Sequence, residues 1–188
     1  MSISIQNLSK SFGATAVFNN FSAELPETGI VCLRGASGSG KTTLLRILAG
    51  LEKAESGTVS GLNGKKIAFV FQEDRLLPQC SALENVSLVS SESEALFWLG
   101  KLGLSQELDK KPTELSGGMC RRVATARALA YRGDILLLDE PFKGLDAELK
   151  ETLFKILRDV SKKALVILVT HEQSEADIAD KTISVEGM

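Results

Sequence analysis

The chain has 188 residues, of which 44% are hydrophobic, and its 22 basic and 24 acidic side chains give a formal net charge of −2. This length suffices for one well-buried core and is too short for two full domains of this kind, so we expect a single domain over residues 1–188. The balanced charge excludes a global basic field that would hold nucleic acid nonspecifically, and no apolar run approaches the roughly 20 residues needed to span a bilayer. The N-terminus does not resemble a secretory leader and the three cysteines lack metal-ligand spacing, which together predict a cytosolic protein.

Two half-exposed strands are predicted at the start of the chain. Ile3 and Ile5 alternate with polar residues, and the alternation returns over residues 21–25 after Asn19-Asn20, which we interpret as a turn. Phe12 follows the first strand, and periodicity alone assigns it equally well to the core or to an exposed position. We therefore expect a small β part ahead of the more apolar strand that comes next.

The segment Gly35–Thr42, GASGSGKT, matches the phosphate-binding pattern G-x-x-x-x-G-K-[ST] at every fixed position. An apolar predicted strand, residues 30–33, precedes it and a predicted helix, residues 42–48, follows it. Glycines let successive N–H groups and the positive end of the helix converge on a polyphosphate. We expect the Lys41 ammonium between the β- and γ-phosphates and the Thr42 hydroxyl in the coordination shell of a Mg²⁺. For the loop alone, a glycine-rich turn with an incidental lysine is the alternative.

Gln72 stands at the end of another predicted strand, residues 66–71 with the sequence KIAFVF. A polar amide at the carboxyl end of a buried strand lies where α/β proteins bind ligands. A strand-ending surface glutamine gives the same pattern, so this residue gains its functional interpretation only from the other motifs.

Residues 76–115 contain no strand signal and are predicted to be a helical insertion in an otherwise alternating β/α chain. Two capping boxes, Ser81 with Glu84 and Ser91 with Glu94, mark the starts of two short helices. The second helix is predicted to bury one apolar face and to end near Gly103; that face consists of Ala95, Leu96, Leu99 and Leu102, with Trp98 adjoining.

Ser116-Gly117-Gly118, within LSGGM, opens a long helical run rich in alanine and arginine. Free N–H groups, a hydroxyl and the positive end of a helix together form a second anion-binding device. A flexible loop with a serine cap is the alternative.

Asp139 and Glu140 end the continuous apolar run ILLLDE, which predicts a central parallel strand whose carboxyl end lies near the phosphate loop. We expect Asp139 to hold Mg²⁺ through water and Glu140 to polarise the attacking water in a phosphoryl transfer. An acid pair that caps the next turn is the structural alternative.

His171 is the only histidine of the chain and follows a buried predicted strand, residues 164–169. A lone histidine is more often structural, but this position is the carboxyl end of a central strand, beside the expected γ-phosphate. Between the acid pair and this strand, Asp146 is predicted to cap a helix. The chain closes with an edge strand over residues 181–185.

The motifs GASGSGKT, Gln72, LSGGM, ILLLDE, GLD and Thr170-His171, in this order, resemble those of the ATP-binding subunit of ABC transporters over essentially the whole chain. LSGG discriminates, because other P-loop proteins have the phosphate loop and the acidic strand without it. The resemblance implies an α/β fold with a P-loop NTPase core of ABC type, that is, a mainly parallel sheet flanked by helices, with a small antiparallel β part and a short helical subdomain. More narrowly, FQEDRLLP, LSGGM with Arg-Arg-Val, and DEPF are similar to importers of nitrate, sulfonates and taurine.

The resemblance also implies roles for individual residues. Phe12 would stack on adenine, and the phosphates and Mg²⁺ would be bound by Gly35, Ala36, Ser37, Gly38, Ser39, Gly40, Lys41, Thr42 and Thr43. Gln72 would sense the γ-phosphate and Mg²⁺, Asp146 would lie at a dimer interface, and His171 would contact the γ-phosphate. The signature residues Ser116, Gly117 and Gly118 would contact a nucleotide held by the opposite subunit. With the acid pair included, the predicted catalytic residues are Glu140, His171, Lys41 and Gln72. The predicted metal site consists of Thr42, Gln72 and Asp139.

The implied protein is an Mg²⁺-dependent ATPase whose homodimer encloses two ATP molecules and drives a separate membrane permease, with import as the expected direction. A solute-binding protein would act through the permease, nucleic acid would not be a partner, and the location would be peripheral on the inner face of the cell membrane. Two alternatives are a soluble ABC ATPase without a permease and a P-loop kinase of a small metabolite, although the kinase leaves LSGGM unexplained.

Three features depart from the family pattern. Gln79 stands where an aromatic residue often follows LLP, so we expect an altered permease-facing groove. The block from Gln72 to Leu115 is short, which predicts a reduced helical subdomain. The chain also ends soon after the last predicted strand, from which we expect no C-terminal regulatory domain.

Overall fold

The computed structural model describes residues 2–185. In chain order the strands are β1 (Ile3–Phe12), β2 (Thr15–Leu25), β3 (Gly29–Arg34), β4 (Ser56–Ser60), β5 (Ile67–Val70), β6 (Ile135–Asp139), β7 (Leu165–Val169) and β8 (Lys181–Ser184). The helices are α1 (Lys41–Leu48), α2 (Ala82–Ser87), α3 (Glu92–Lys101), α4 (Gly117–Ala130), α5 (Ala147–Ser161) and α6 (Gln173–Ala176), and a 3-10 turn spans Pro112–Glu114. From β5 onwards, helices separate the strands, which confirms the predicted α/β class.

Five strands form a parallel sheet in the order β5-β6-β7-β3-β8. Every residue of β6 and β7 is buried, as expected for central strands with both faces covered. Val169 at the end of β7 pairs with Leu33 of β3 and with Asp139 of β6, so the carboxyl ends of three strands are level. The loops that follow these strands therefore meet at one edge of the sheet.

The parallel sheet divides its side chains between two hydrophobic cores, one on each face. Leu136 and Leu138 belong to the core that contains residues of α2 to α5. Ile135 and Leu137 belong to the core formed with α1 and the antiparallel strands. This alternation is the two-residue period of a strand, and it fixes which helices cover each face.

A three-stranded antiparallel sheet with the order β2-β1-β4 confirms the predicted β part. The interpretation of Asn19-Asn20 as a turn is wrong, because both residues lie inside β2 and the chain reverses at Gly13-Ala14 instead. Asn20 has a φ of 56° where the pairing of β1 with β2 shifts register, and its N–H donates to Ser9 Oγ at 3.2 Å. Asparagine tolerates this left-handed backbone, so the dipeptide forms an irregularity within a strand and not a turn.

The stretch between β5 and β6 contains helices only, and α2 and α3 pack on α4. Ala95, Leu99 and Leu102 of the predicted apolar face are buried, but Leu96 is exposed. Leu96 lies about 100° around the helix from Ala95, which takes it off the buried face. None of the helices in the described part of the chain is long and apolar enough to cross a membrane.

The two predicted capping boxes differ. At Ser81 both hydrogen bonds are present, from Glu84 N–H to the serine and from Ser81 N–H to the Glu84 carboxylate. At Ser91 only the first is present. The Glu94 carboxylate instead accepts from Trp98 Nε1 at 3.1 Å and pairs with the Arg132 guanidinium. The second prediction was therefore wrong: the Glu94 carboxylate bonds to Trp98 and Arg132 and not to the N–H of Ser91.

Candidate functional site

A pocket of about 350 Å³ opens at the edge of the parallel sheet where β3, β6 and β7 end. Predicted site residues from five separate segments of the chain line this pocket, together with Val17 and Val169. These site residues are Phe12, Ser37, Gly38, Gly40, Lys41, Thr42, Thr43, Gln72, Asp139, Glu140 and His171. Of the predicted phosphate loop, Gly35, Ala36 and Ser39 are not part of this lining. The fold therefore brings together at one pocket residues that only their sequence motifs had assigned to a common site.

Helix α1 points its positive end at this pocket without a capping side chain. Each of α2 to α5 begins with a serine or aspartate that accepts a hydrogen bond from a first-turn N–H, whereas α1 begins at Gly40 with no such bond and no acidic residue in its first turn. Uncapped N–H groups at a helix start attract anions. An anion in the pocket would supply the missing cap.

The loop ahead of α1 is held in shape from inside. Lys41 Nζ donates to the carbonyl oxygens of Gly35 and Ala36 at 2.9 and 2.8 Å. Burial lowers the pKa of the Lys41 ammonium, while the carboxylates of Asp139 and Glu140 act in the opposite direction. Because Lys41 engages the carbonyl groups, the loop can present its N–H groups elsewhere.

Gly40 and Ser39 show how tightly this loop is built. Gly40 has a φ of 95°, and a Cβ there would lie 2.3 Å from Val17 Cγ1, so only glycine fits. The buried Ser39 Oγ has no hydrogen-bond partner among the described residues.

Asp139 lies next to Thr42, whose hydroxyl donates to Asp139 Oδ2 at 2.7 Å. Burial raises the pKa of the Asp139 carboxyl, while the hydrogen bond from Thr42 lowers it and the neighbouring Glu140 raises it further. A carboxylate and a hydroxyl are hard oxygen ligands that suit Mg²⁺, which usually keeps several waters and takes one or two protein ligands plus phosphate oxygens. Residues 2–185 contain no cluster of three or more His, Cys, Asp or Glu side chains suited to a metal ion.

Glu140 leaves the strand with a φ of 53°, an uncommon conformation for a residue with a side chain. Its N–H donates to Val169 O at 3.0 Å, which fixes its backbone to the end of β7. His171 Nε2 lies 3.3 Å from Glu140 Oε1, and Lys143 Nζ lies 3.6 Å from the other carboxylate oxygen. The acid and the only histidine, which are 31 positions apart, are thus in contact at the pocket wall.

Gln72 is held by Arg121 of α4, a residue that the sequence did not single out. The Arg121 guanidinium donates to the carbonyl oxygens of Phe71 and Gln72, and its Nε lies 3.1 Å from Asp74 Oδ1. Burial raises the pKa of Asp74, and Arg121 opposes this shift. The available signal was an arginine on a buried helix face shared with Ala124, Thr125 and Ala128.

Phe12 is half exposed at the mouth of the pocket, which excludes the core alternative for this residue. Lys10 Nζ stands 4.7 Å from the centre of its ring and pairs with Glu52 at 2.8 Å. A flat exposed ring at a pocket entrance provides a surface on which another planar group can stack.

The second anion-binding device does not join this pocket. Ser116, Gly117, Gly118 and Asp146 are absent from its lining. Ser116 Oγ accepts from Met119 N–H at 3.3 Å, so the serine caps α4. Asp146 Oδ1 accepts from Leu149 N–H at 2.9 Å, which confirms Asp146 as the cap of α5. A Cβ on Gly118 would lie 2.7 Å from Gly144 O, so the two segments touch each other.

Comparison with known proteins gives the family of this arrangement. A family model described as ABC transporter matches residues 18–143. The sulfate/thiosulfate import ATP-binding protein CysA of Escherichia coli (strain K12) is 40% identical over 97% of this chain, which spans 57% of that relative's length. The probable sulfate/thiosulfate import ATP-binding protein CysA of Chlorella vulgaris is also 40% identical, over 100% of this chain and 88% of its own length.

Solved structures agree with this result. The ATP-binding cassette MJ0796, in a dimeric post-hydrolysis state bound to ADP and Pi, has a TM-score of 0.90 and 31% identity over 98% of this chain and 94% of its own. A second dimeric structure of MJ0796, a bacterial ABC transporter cassette, has a TM-score of 0.85 and 30% identity, over 97% of this chain and 94% of its own. The predicted cassette fold, a mainly parallel sheet with flanking helices and a small antiparallel sheet, is therefore confirmed.

Proposed function

Because this chain belongs to the ABC transporter family, we propose that it is an ATP-binding and ATP-hydrolysing subunit that powers import of a small solute through a separate membrane permease. The observation that carries the proposal is the uncapped start of α1, which opens into the same pocket as Asp139, Glu140 and His171. The same pocket thus joins a helix start that suits phosphate to the groups that phosphoryl transfer needs.

The geometry supports the binding roles that we propose. Phe12 offers its exposed ring to adenine at the pocket mouth. Residues 35–43 hold the phosphates through N–H groups and the Lys41 ammonium. Thr42 and Asp139 would hold Mg²⁺ through their oxygens, and Gln72, which lines the same pocket, would be a further ligand and sensor. When bound, Mg²⁺ neutralises phosphate charge and orients the transferred group.

Glu140 and His171 carry the hydrolytic step. Glu140 accepts a proton from a water whose oxygen attacks the γ-phosphorus, the bond to the oxygen that bridges the β- and γ-phosphates breaks, and ADP leaves with that oxygen. His171, in contact with Glu140 at 3.3 Å, donates to the γ-phosphate and aligns it. Lys41 stabilises the charge that develops on the phosphate oxygens.

The second anion-binding device acts between subunits. We propose that residues 1–188 form one nucleotide-binding domain with a helical insertion at about 76–115. Ser116, Gly117 and Gly118 then complete the site of a second copy, with Asp146 at the interface. Two observations support this: these residues lie outside the pocket of their own chain, and the cassettes of similar structure are dimeric.

The partners and the solute extend the same proposal. The permease and a solute-binding protein acting through it would be separate chains, and the subunit would sit peripherally on the cytoplasmic face of the membrane. Two curated relatives are named as sulfate/thiosulfate importers, which supports import of a small oxyanion. The narrower resemblance to nitrate, sulfonate and taurine importers stays a prediction.

The direct test is ATP hydrolysis by the purified chain, with Mg²⁺ and with excess chelator, beside the variant Glu140→Gln. We expect the variant to bind ATP with near-normal affinity while its turnover falls by about 10²- to 10⁴-fold, the usual size of a general-base contribution. Glu148→Gln is the control, because it makes the same change of functional group at the exposed start of α5, outside the pocket. Near-normal turnover of Glu140→Gln would contradict the assigned role.

The transport part has its own test. The tagged protein, extracted from its native host in mild detergent, should retain a multi-span permease, and a co-purifying solute-binding protein would narrow the solute. Recovery of soluble partners alone, with intact ATPase activity, would favour an ABC ATPase without a permease.

A further inference from the structure

Lys150 of α5 joins two acidic residues of the segment that follows β7. Its Nζ lies 2.7 Å from Glu175 Oε1 and 2.8 Å from Glu172 Oε2. The other oxygen of Glu175 accepts a hydrogen bond from the Thr170 hydroxyl. The Thr170 hydroxyl in turn accepts from Glu172 N–H at 3.2 Å. Lys150 thus contacts two residues of the short segment from 170 to 175, and Glu175 links it to Thr170 at the start of that segment.

His171 lies inside this clamped segment. Its side chain is half exposed, and Glu140 is its only polar side-chain partner among residues 2–185. A second cavity of about 350 Å³ borders Lys150, Thr170 and Glu175 and shares Glu140 and His171 with the first pocket. The histidine therefore has little packing of its own, and its direction depends on how the backbone on either side is held.

The Lys150–Glu175 pair is partly removed from water, unlike the surface ion pairs of this chain. The Glu175 side chain is 6% exposed and that of Lys150 is 23% exposed. Hydrogen bonds to Glu172 and Glu175 raise the pKa of the Lys150 ammonium. Loss of Lys150 would leave the carboxylate of Glu175 buried without a counter-charge, which is far more costly than loss of an exposed pair.

Lys150 is also tied to the predicted dimer interface. Its backbone N–H donates to Asp146 O at 2.9 Å, so it stands one helical turn after the residue that caps α5. A displacement of Asp146 would move Lys150, and Lys150 would move the segment that carries His171. Direct contacts thus connect Asp146 through Lys150 to the segment that carries His171.

We propose that Lys150 and Glu175 are positioning residues that hold His171 against Glu140 and link its orientation to the segment around Asp146. This inference rests on the proposed ATPase function, because His171 and Glu140 are the groups whose alignment it concerns. Neither Lys150 nor Glu175 lines the nucleotide pocket. They act on the reaction only through the histidine segment.

The test compares steady-state ATP hydrolysis of the full chain with that of Lys150→Met, which keeps the stem and removes the charge. We expect kcat to fall about 10- to 100-fold, since small displacements of a catalytic group have effects of this size. The KM for ATP should change less than about 2-fold, because the variant leaves the binding residues in place. Lys150→Arg should restore most of kcat, a rescue that a loss of fold would not show.

Two matched controls sharpen the comparison. Lys155→Met makes the same change on the same helix at a residue whose only ion-pair partner, Glu151 at 3.5 Å, is exposed. Lys162→Met makes it at the end of this helix, at a residue that pairs with the exposed Asp159 at 2.7 Å. We expect both to retain kcat within about 2-fold, as exposed ion pairs contribute little.

Glu175→Gln covers the case in which Lys150→Met does not fold, because it keeps the shape of the side chain. The double variant Lys150→Met/Glu175→Gln should lose no more activity than the worse single variant, as coupled residues do. Unchanged kcat in either single variant, or a KM that rises as much as kcat falls, would overturn the proposal.

Hydrogen exchange separates this inference from the proposed function. Backbone amides of residues 171–175 should exchange faster in Lys150→Met than in the wild-type chain, with no change in β6 or α1. If the wild-type chain hydrolysed no ATP, the proposed function would fail, while unchanged exchange at 171–175 would by itself overturn the role of Lys150.

Discussion

Asp139 shows at the residue scale how a functional group can oppose stability. Its carboxylate is almost fully removed from water and has one hydrogen-bond donor, Thr42. Because its pKa is raised in the folded state, the folded chain binds this proton more tightly than the unfolded chain does. Ionisation of Asp139 therefore destabilises the fold, beginning as the pH passes the ordinary value of about 3.9 and reaching its full size above the raised pKa.

Asp139→Asn should consequently stabilise the ligand-free chain. We expect its Tm at neutral pH to be higher than that of the wild-type chain, because the amide has no charge to bury. The gain should shrink as the pH falls towards the ordinary pKa of aspartic acid, and Mg²⁺-dependent ATP hydrolysis should be lost. Thermal unfolding across this pH range measures it, with Asp159→Asn, a surface residue paired with Lys162, as the control. A lower Tm for Asp139→Asn at neutral pH would contradict the argument.

Arg121 fastens the loop after β5 to helix α4. It is a buried arginine with two backbone carbonyl partners and the Asp74 carboxylate. Its removal would take a donor from two carbonyl groups and leave the Asp74 carboxylate without its counter-charge, each with a desolvation cost.

Arg121→Met should therefore destabilise the fold by about 2–4 kcal/mol. Arg121→Lys should recover only part of this, since an ammonium cannot reproduce the forked contacts of a guanidinium. Urea unfolding gives both values. Arg158→Met serves as the control, because Arg158 pairs with Asp180 on the surface and should cost less than about 1 kcal/mol. Equal losses for Arg121→Met and Arg158→Met would refute the assigned role of Arg121.

The elements differ in how far the sequence could predict them. The strands that carry the site were predicted because β3, β6 and β7 are continuous apolar runs, and the polar residues just beyond them had to meet at one sheet edge. Arg121 and Lys150 were missed because their partners lie about 50 and 25 positions away. Only the packing of α4 and α5 on the sheet brings these partners together. The second capping box was wrong because the Glu94 carboxylate bonds to Trp98 on the same helix and pairs with Arg132, which is distant in sequence.

The two anion-binding devices predicted from the sequence, at the starts of α1 and α4, do not belong to one pocket of the molecule. The start of α1 opens into the nucleotide pocket, whereas the start of α4 at Ser116 and Gly117 lies outside its lining. A head-to-tail pair of chains would bring one device of each copy to the other, an arrangement that encloses two ligands.

Gly117 offers a way to test that assembly without disturbing the fold. A Cβ at Gly117 would meet nothing within 4 Å, and an acidic residue suits the start of a helix. Gly117→Asp should thus leave the Tm of the single chain within ~2 °C of the wild-type value. Placed on Glu140→Gln to prevent hydrolysis, it should abolish the dimer that ATP induces, because its charge would repel the γ-phosphate. Sedimentation with and without ATP measures this.

Gly118→Ala is the informative contrast, because its Cβ would lie 2.7 Å from Gly144 O within the same chain. That variant should lower the Tm of the monomer as well. Persistence of the ATP-induced dimer in Gly117→Asp would contradict the predicted contact between the signature residues and the nucleotide of the second subunit.

Trp98 gives the whole molecule an optical reporter. It is the only tryptophan of the chain, and it lies on α3 with its indole N–H bonded to Glu94 and its ring against the helical core. Its emission therefore comes from the helical insertion alone, while the sheet and the phosphate loop contribute none. A shift of that emission when nucleotide enters the distant pocket would register movement of the insertion relative to the sheet, in the unmodified protein and without an attached dye.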